Sequence, residues 1–211
     1  FISDVHLGSN SKQHLEKICR KISQLDYQYL LIGGDLFDSS AFQTSDLCPL
    51  KRIKKPILYV TGNHEYFVKN SKNRIAELAH YNVSVLDNRS VQFGILNIIG
   101  ISDNTPLETQ TKITKTLICK EKYNLALVHK PSMWESISED LDLMLSGHTH
   151  NGQIFPFNLF VGLQFKTVYG IYRKQSSSLY VSSGSGTWGP RMRLKSQNEV
   201  VKILLAPQRT N

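Results

Sequence analysis

Side chains that commonly bind metal ions recur in five short clusters along this chain. Each cluster follows an apolar run, and together the clusters hold five of the seven histidines. The clusters contain Asp4 and His6, Asp35 and Asp38, Asn63 with His64 and Glu65, His129 alone, and His148 with His150. Carboxylate, amide and imidazole groups in this number predict a metal centre, provided that the fold brings the five clusters together.

Two of the clusters have a spacing that suits a shared metal. Asp4 and His6 form a D-x-H pair, and His148 and His150 form an H-x-H pair. Alternate residues of an extended segment point to the same side, so each pair predicts two ligands for one point. Oxygen and imidazole ligands suit Mn, Fe, Zn or Co, and the lack of cysteine argues against a structural zinc site. More than four candidate ligands predict more than one ion.

The elements that must position these clusters are short apolar strands alternating with helices. We predict strands at 29–33, 56–62, 83–87, 90–93, 96–101, 124–129 and 141–147, with residues 1–3 ending another. Helical spacing predicts helices at 11–25, 71–81 and 107–120, and β-like runs follow at 163–172, 178–183 and 199–205. This order predicts an α/β fold: a two-sheet β-sandwich flanked by helices, as a single domain over residues 1–211. The clusters are then expected at the carboxyl ends of the strands.

The motifs occur in an order that resembles a known family. D-x-H, G-D-x-x-D, G-N-H-[DE], a histidine after a strand and G-H-x-H resemble the signature of the calcineurin-like metallophosphoesterases, over residues 3–153. "LVHKP" and "SGHTHNGQ" are most similar to the YkuE-type bacterial phosphodiesterases, which commonly have glycine where this chain has Asn151. Because asparagine tolerates left-handed backbone, the loop is expected to keep its ligands.

The resemblance implies a centre of two divalent metal ions, with Mn as the first expectation and Fe, Zn and Co as alternatives. It implies seven ligands: Asp4, His6 and His150 for the first ion, Asn63, His129 and His148 for the second, and Asp35 as the bridge. A metal-bound hydroxide would attack the phosphorus in line, without a covalent enzyme intermediate.

The same resemblance implies two catalytic residues that are not ligands. His64 would be the general acid that protonates the leaving-group oxygen. Asp38 would orient His64 and keep it protonated, since a nearby carboxylate favours imidazolium. Asp38 has the alternative interpretation of a helix cap, and Glu65 is interpreted either as structural or as a support for the ligands.

Two further segments are candidates for substrate contacts. In the glycine-rich segment 182–194, Arg191 and Arg193 are predicted to bind a substrate phosphate, and a surface hairpin with solvated arginines is the alternative. The apolar connection at 154–163 fits either ordinary core or an exposed ridge that contacts lipid or an apolar substrate tail.

Composition limits the partners and the location. The 211 residues carry a net charge of +8, which suits an anionic partner, although solvated lysines such as those at 51–55 explain it equally well. The three cysteines have no disulfide or metal spacing, which mildly favours a reducing compartment. The chain opens as "FISDVHLG", without methionine, so we expect a missing preceding segment, such as a membrane anchor. The expected location is the cytoplasm or a membrane.

The sequence therefore favours a two-metal phosphoesterase acting on a phosphodiester or pyrophosphate, with a lipid-linked substrate and peripheral membrane contact as finer expectations. A nucleotide or nucleic-acid phosphodiesterase is the alternative; it ranks lower because no platform of aromatic and basic residues is visible. A non-catalytic metal-binding scaffold is the third interpretation, disfavoured because His64 and all seven ligands are present.

Overall fold

The computed structural model describes residues 1–206; residues 207–211, which end the predicted domain, lie outside the described residues. The α-helices of the described part are α1 (Lys12–Ser23), α2 (Ser71–Glu77), α3 (Leu107–Leu117), α4 (Trp134–Ile137) and α5 (Phe157–Gln164). The strands there are β1 (Leu30–Gly33), β2 (Ile57–Val60), β3 (Val83–Val85), β4 (Arg89–Phe93), β5 (Leu96–Ile101), β6 (Tyr123–Val128), β7 (Leu143–Ser146), β8 (Gly170–Lys174) and β9 (Ser177–Val181).

The first sheet contains β1, β2 and β3, which are all parallel. Leu30 pairs with Ile57, and Ile57 pairs in turn with Val83. Ile2 forms a parallel bridge with Ile32, so the start of the chain runs beside β1. Every residue of β1 and β2 is buried, as expected of parallel strands that are covered on both faces.

The second sheet has six strands in the order β4-β5-β6-β7-β9-β8. The four inner strands are parallel, whereas β4 and β8 pair antiparallel with their neighbours at the two edges. Because β6 and β7 are parallel, the segments that follow them leave the sheet at the same side, where the strands have their carboxyl ends. The histidine-containing clusters are expected at these carboxyl ends.

Apolar side chains fill the space between and outside the two sheets. Leu58 and Val60 of the first sheet belong to one buried cluster with Leu127 and Leu145 of the second. Further buried clusters lie under α1 on the first sheet and under α3 and α4 on the second. The predicted sandwich of two sheets flanked by helices is confirmed. In the part of the chain that the structure describes, no helix has the length and apolar character to cross a membrane.

The structure differs from the predicted elements at several places. Residues 1–3, predicted to end a strand, form only an isolated bridge at Ile2, and α4 was not predicted. The segment 154–163 was predicted as a connection but contains most of α5; its apolar residues lie all round the helix, so no helical stripe marks it in the sequence. In the predicted β-like run at 163–172, only the last three residues lie in a strand, as the start of β8, and the first two belong to α5. No strand is assigned within 199–205, where the Val201 N–H donates to the Phe1 carbonyl oxygen at 2.9 Å.

Candidate metal centre

The predicted ligands lie where parallel strands end. Asp4 follows the segment that runs beside β1, and Asp35 follows β1 itself. Asn63 comes shortly after β2, His129 directly after β6, and His148 two residues after β7. Both sheets therefore direct ligands into one site, as the sequence predicted from the positions of the clusters.

Glycines allow these strand ends to approach each other. A Cβ atom at Gly62 would overlap the Asp35 carboxylate, and a Cβ atom at Gly147 would overlap the Asp4 carboxylate. Both positions therefore require a residue without a side chain. The glycines of G-N-H and G-H-x-H thus make room for carboxylates that come from other loops.

Five of the seven predicted ligands have a left-handed backbone. Their φ angles are 55° at Asp4, 53° at His6, 51° at Asp35, 72° at His148 and 51° at His150. The D-x-H and H-x-H segments are thus not extended, and the expectation from simple alternation of side chains is wrong. Left-handed backbone costs a non-glycine residue roughly 1–3 kcal/mol and is concentrated at functional sites.

The first group of ligands contains Asp4, His6 and His150, whose ligand atoms lie within 4.8 Å of one another. The Nε2 atoms of His6 and His150 are 3.0 Å apart, and His150 Nε2 is 3.5 Å from Asp4 Oδ1. All three side chains are buried. The structure thus brings together the three residues that the resemblance assigned to the first ion.

The second group is arranged around His129. Its Nε2 atom lies 3.1 Å from Asp35 Oδ2, 3.1 Å from His148 Nδ1 and 3.2 Å from Asn63 Oδ1. Its Nδ1 donates to the carbonyl oxygen of Gly33 at 2.8 Å. That bond fixes the ring and leaves Nε2 to face the other predicted ligands, which is the arrangement that metal-binding histidines commonly have.

Asp35 contacts both groups. Besides His129, its Oδ2 atom lies 3.8 Å from His6 Nε2 and 4.0 Å from His64 Nε2. Its Oδ1 atom accepts a hydrogen bond from the His64 backbone N–H at 2.9 Å. A carboxylate in this central position suits the bridging role that the resemblance implied.

The electrostatics of the site fit divalent cations. Burial, followed by the charge of His129, lowers the pKa of His148 to about 3. Burial and the neighbouring His6 hold the pKa of His150 well below its ordinary value. Both imidazoles are therefore neutral and offer lone pairs to a metal. Burial also lowers the pKa of His129, but the Asp35 carboxylate outweighs it and raises that pKa to about 10, so this position favours a positive charge.

His64 lies at the border between the ligands and solvent. Its ring meets Phe67 and Trp188 edge-on, at centroid distances of 5.4 and 5.7 Å. Its side chain is 16% exposed, so it can reach a bound substrate. Burial lowers the pKa of His64, and the Asp35 carboxylate acts in the opposite sense.

The hydrogen-bond partner of Asp38 is His6, whereas the resemblance implied His64. Asp38 Oδ2 lies 3.1 Å from His6 Nδ1, and Asp38 Oδ1 accepts the Ser9 N–H at 3.0 Å. One carboxylate oxygen of Asp38 and one ring nitrogen each of His6 and His64 nevertheless lie within 4.8 Å of one another. By accepting from Nδ1 of His6, Asp38 turns the Nε2 atom of that ring towards the first group of ligands.

Glu65 connects the two loops that carry Asp35 and Asn63. Its carboxylate is fully buried and accepts backbone N–H groups from Asp35 at 3.1 Å, Leu36 at 2.6 Å and Gly62 at 2.7 Å, as well as a fourth from residue 37. Burial and then Asp35 raise its pKa to about 7. The sequence left the role of Glu65 undecided, because backbone donors are not visible in a sequence.

The two arginines predicted to bind substrate differ in their surroundings. Arg193 donates through Nη1 to the His150 carbonyl oxygen at 3.0 Å and through Nη2 to that of Gly186 at 2.6 Å, and Nη2 lies 3.2 Å from His150 Nδ1. These bonds hold a predicted metal ligand in place and use the guanidinium for contacts within the protein. Arg191 is exposed and donates from Nε to the Ser9 carbonyl oxygen at 2.8 Å.

A cavity of about 600 Å³ lies beside the ligands. Asp35, Asn63, His64, His148 and His150 form its polar wall. The large apolar side chains that line it are Phe67, Ile154, Phe157, Val161, Phe165 and Trp188. Ile154, Phe157 and Val161 belong to the apolar stretch at 154–163, for which the sequence offered contact with an apolar substrate tail as one interpretation. The sequence did not predict the contributions of Phe67, Phe165 and Trp188 to this wall.

Comparison with known proteins agrees with this geometry. The family model of the calcineurin-like phosphoesterases matches residues 1–152. A Helicobacter pylori protein named as a metallophosphoesterase is 35% identical over 99% of this chain and 59% of its own length. A Bos taurus protein named "Transmembrane protein with metallophosphoesterase domain" is 29% identical over 97% of this chain and 52% of its own length.

A solved structure, TT1561 of Thermus thermophilus, has a TM-score of 0.57 at 14% identity and covers 87% of this chain and 88% of that one, which supports the fold alone. The chain belongs to the calcineurin-like phosphoesterase family, so the predicted family and a metal-dependent phosphoesterase domain are confirmed. It spans about 59% of the length of the Helicobacter pylori relative. The finer resemblance to YkuE-type proteins stays a prediction.

Proposed function

We propose that this chain binds two divalent metal ions and hydrolyses a phosphodiester or pyrophosphate whose substrate carries an apolar, lipid-like group. The observation that supports this most is the convergence of seven oxygen and nitrogen ligands beside a cavity with an apolar wall. When bound, the ions supply a Lewis acid for the phosphate and lower the pKa of water. Mn²⁺ is the first ion to test, because these ligands also admit Fe, Zn and Co.

The chain's own residues orient the substrate and move the proton. Asp35 lies close to His6 of one ligand group and to His129 of the other, so its carboxylate would help to hold both ions. His64 is partly exposed beside Asp35 and donates a proton from Nε2 to the leaving oxygen. Phe67 and Trp188 contact its ring edge-on and limit its orientation. Arg193 acts on the reaction by holding His150.

The lipid-like group is proposed from the cavity. Phe157, Val161 and Phe165 form an apolar surface within the same cavity as His64. Burying one methylene group contributes about 0.8 kcal/mol, so an alkyl chain on this surface would gain several kcal/mol of binding. The Bos taurus relative, of which this chain covers 52%, is named as a transmembrane protein with this domain, which is compatible with a reaction close to a membrane.

Hydrolysis of bis-p-nitrophenyl phosphate and p-nitrophenyl phosphate, on metal-stripped protein with Mn²⁺ restored, tests the reaction. We expect metal-dependent turnover that prefers the diester and falls at least tenfold in His64→Ala, because general acid catalysis contributes roughly 10²–10⁴-fold. The matched control is His80→Ala, since His80 lies in the 3-10 helix Leu78–Tyr81, outside the ligand groups. Bound metal without turnover for Mn²⁺, Fe²⁺, Co²⁺ and Zn²⁺ would instead support the non-catalytic scaffold.

A second candidate, a nucleotide phosphodiesterase, is favoured by Trp188 and Phe67 beside His64, because aromatic rings stack on nucleobases. Comparing p-nitrophenyl octyl phosphate, p-nitrophenyl methyl phosphate and p-nitrophenyl thymidine phosphate separates the two. The proposal expects the octyl ester to have a kcat/KM at least tenfold above the methyl ester, and Phe157→Asp to remove that difference. A preference for the thymidine ester would overturn the lipid-like substrate in favour of the nucleotide.

A further inference from the structure

α5 has apolar side chains on two opposite faces. Phe157 and Val161 face the cavity beside the ligands. Leu159 and Leu163 lie on the opposite side of the helix and are 62% and 86% exposed. Phe160, whose ring centre is 6.0 Å from that of Phe157, is 61% exposed at the side of the helix. A helix that is apolar all round is normally buried in protein or in contact with lipid. The outer face of α5 therefore needs an apolar partner.

The exposed apolar side chains are concentrated in the stretch of chain that contains α5. Ten of the sixteen large apolar side chains that are exposed in the described residues lie between Phe155 and Leu194. They include Trp188, which also lines the cavity beside the ligands. Such a concentration in one segment marks an interaction surface, because exposed apolar residues are otherwise scattered singly.

Charge identifies the kind of partner. Residues 143–198 contain six lysines and arginines and no aspartate or glutamate, so they hold most of the net charge of +8. Lys195 lies at one end of α5, with Nζ 4.2 Å from the centre of the Phe155 ring. Lys166 follows the other end, and its exposed Nζ is 3.8 Å from the exposed Glu135 carboxylate, a pair that contributes little.

We infer that the outer face of α5, together with Lys166 and Lys195, is a docking surface for an anionic lipid bilayer. Apolar side chains flanked by lysines are the pattern by which interfacial helices enter the headgroup region. Each basic residue adds attraction to anionic lipid. A second copy of this chain fits less well, because its corresponding surface carries the same positive charge. Docking would also bring the cavity, and with it the proposed reaction, to the bilayer. Only this last step rests on the proposed function.

Co-sedimentation with vesicles tests the surface. We expect the protein to bind vesicles of phosphatidylcholine with phosphatidylglycerol, to bind pure phosphatidylcholine far less, and to lose affinity as salt rises. The double variant Leu159→Glu, Leu163→Glu should bind at least tenfold more weakly. Lys166→Glu with Lys195→Glu should reduce the binding and its salt dependence. Ile95→Glu is the matched control, since Ile95 is 78% exposed in the turn between β4 and β5.

Two further measurements keep the outcomes distinct. Hydrolysis of bis-p-nitrophenyl phosphate without vesicles should be unchanged in the α5 double variant, so its loss of vesicle binding cannot be attributed to misfolding. Absence of turnover in the wild type would count against the proposed function and leave the docking surface standing. Equal vesicle binding by wild type and double variant would overturn the inference, as would a dimer in solution that the double variant disperses.

Discussion

At the scale of single residues, the centre depends on backbone conformations that are costly to maintain. Asp4, His6, Asp35, His148 and His150 all have positive φ angles, at roughly 1–3 kcal/mol each. Such strain persists only where surrounding contacts compensate for it. Near the first sheet, the buried Glu65 carboxylate provides such contacts by accepting hydrogen bonds from four backbone N–H groups. These bonds are charge-assisted when the carboxylate is ionised.

Removing the Glu65 carboxylate tests this compensation. Glu65→Ala leaves four N–H groups without their acceptor, and we expect a loss of about 3–5 kcal/mol in the free energy of unfolding. Glu65→Gln keeps one acceptor oxygen and should lose less. Urea denaturation measures the change in the free energy of unfolding. The amount of metal that each variant binds shows whether Asp35 is still held in its position. Glu108→Ala is the control, because Glu108 is 81% exposed and pairs only with Lys112 on α3. A Glu65→Ala protein as stable as wild type would contradict the compensating role.

At the scale of elements, parallel strands do most of the positioning. β1, β2, β6 and β7 each end next to a predicted ligand, and the sequence indicated this because short apolar runs are followed by polar clusters. The left-handed ligand residues and the backbone bonds of Glu65 could not be predicted, since both depend on contacts between distant loops. α5 was missed because a helix that is apolar on all sides has no stripe at helical spacing. The pairing of Asp38 with His6 likewise reflects a tertiary contact that motif spacing does not contain.

The second prediction concerns the close contact between Gly62, which follows β2, and Asp35, which follows β1. Gly62→Ala would place a Cβ atom against the Asp35 carboxylate and 2.7 Å from the Asp35 backbone nitrogen. Because Asp35 touches both ligand groups, we expect the variant to lose metal from both and to lose at least a hundredfold in diester turnover. Gly162→Ala is the matched control: its Cβ meets no atom within 4 Å, and alanine favours a helix by about 0.5–1 kcal/mol. Full metal occupancy in Gly62→Ala would refute the argument.

At the scale of the whole molecule, the centre joins the two sheets. Asp35 and Asn63 come from loops of the first sheet, and His129 and His148 come from loops of the second. Away from the centre, an apolar layer that includes Val60 and Leu127 packs the two sheets against each other. If the centre binds metal as proposed, the ions would form a second link between the sheets, at the strand ends where the apolar layer stops.

That link predicts a metal-dependent thermal stability. A ligand at a hundred times its dissociation constant stabilises the folded state by about 2.7 kcal/mol, which for about 200 residues corresponds to roughly 5–10 °C in Tm. We expect Mn²⁺ added to metal-stripped protein to raise Tm by that amount in calorimetry. His129→Ala removes a ligand that lies between the sheets and should lose most of the increase. His80→Ala should keep it, since His80 is exposed and outside the site. An unchanged increase in His129→Ala would mean that the stabilising ions bind elsewhere on the molecule.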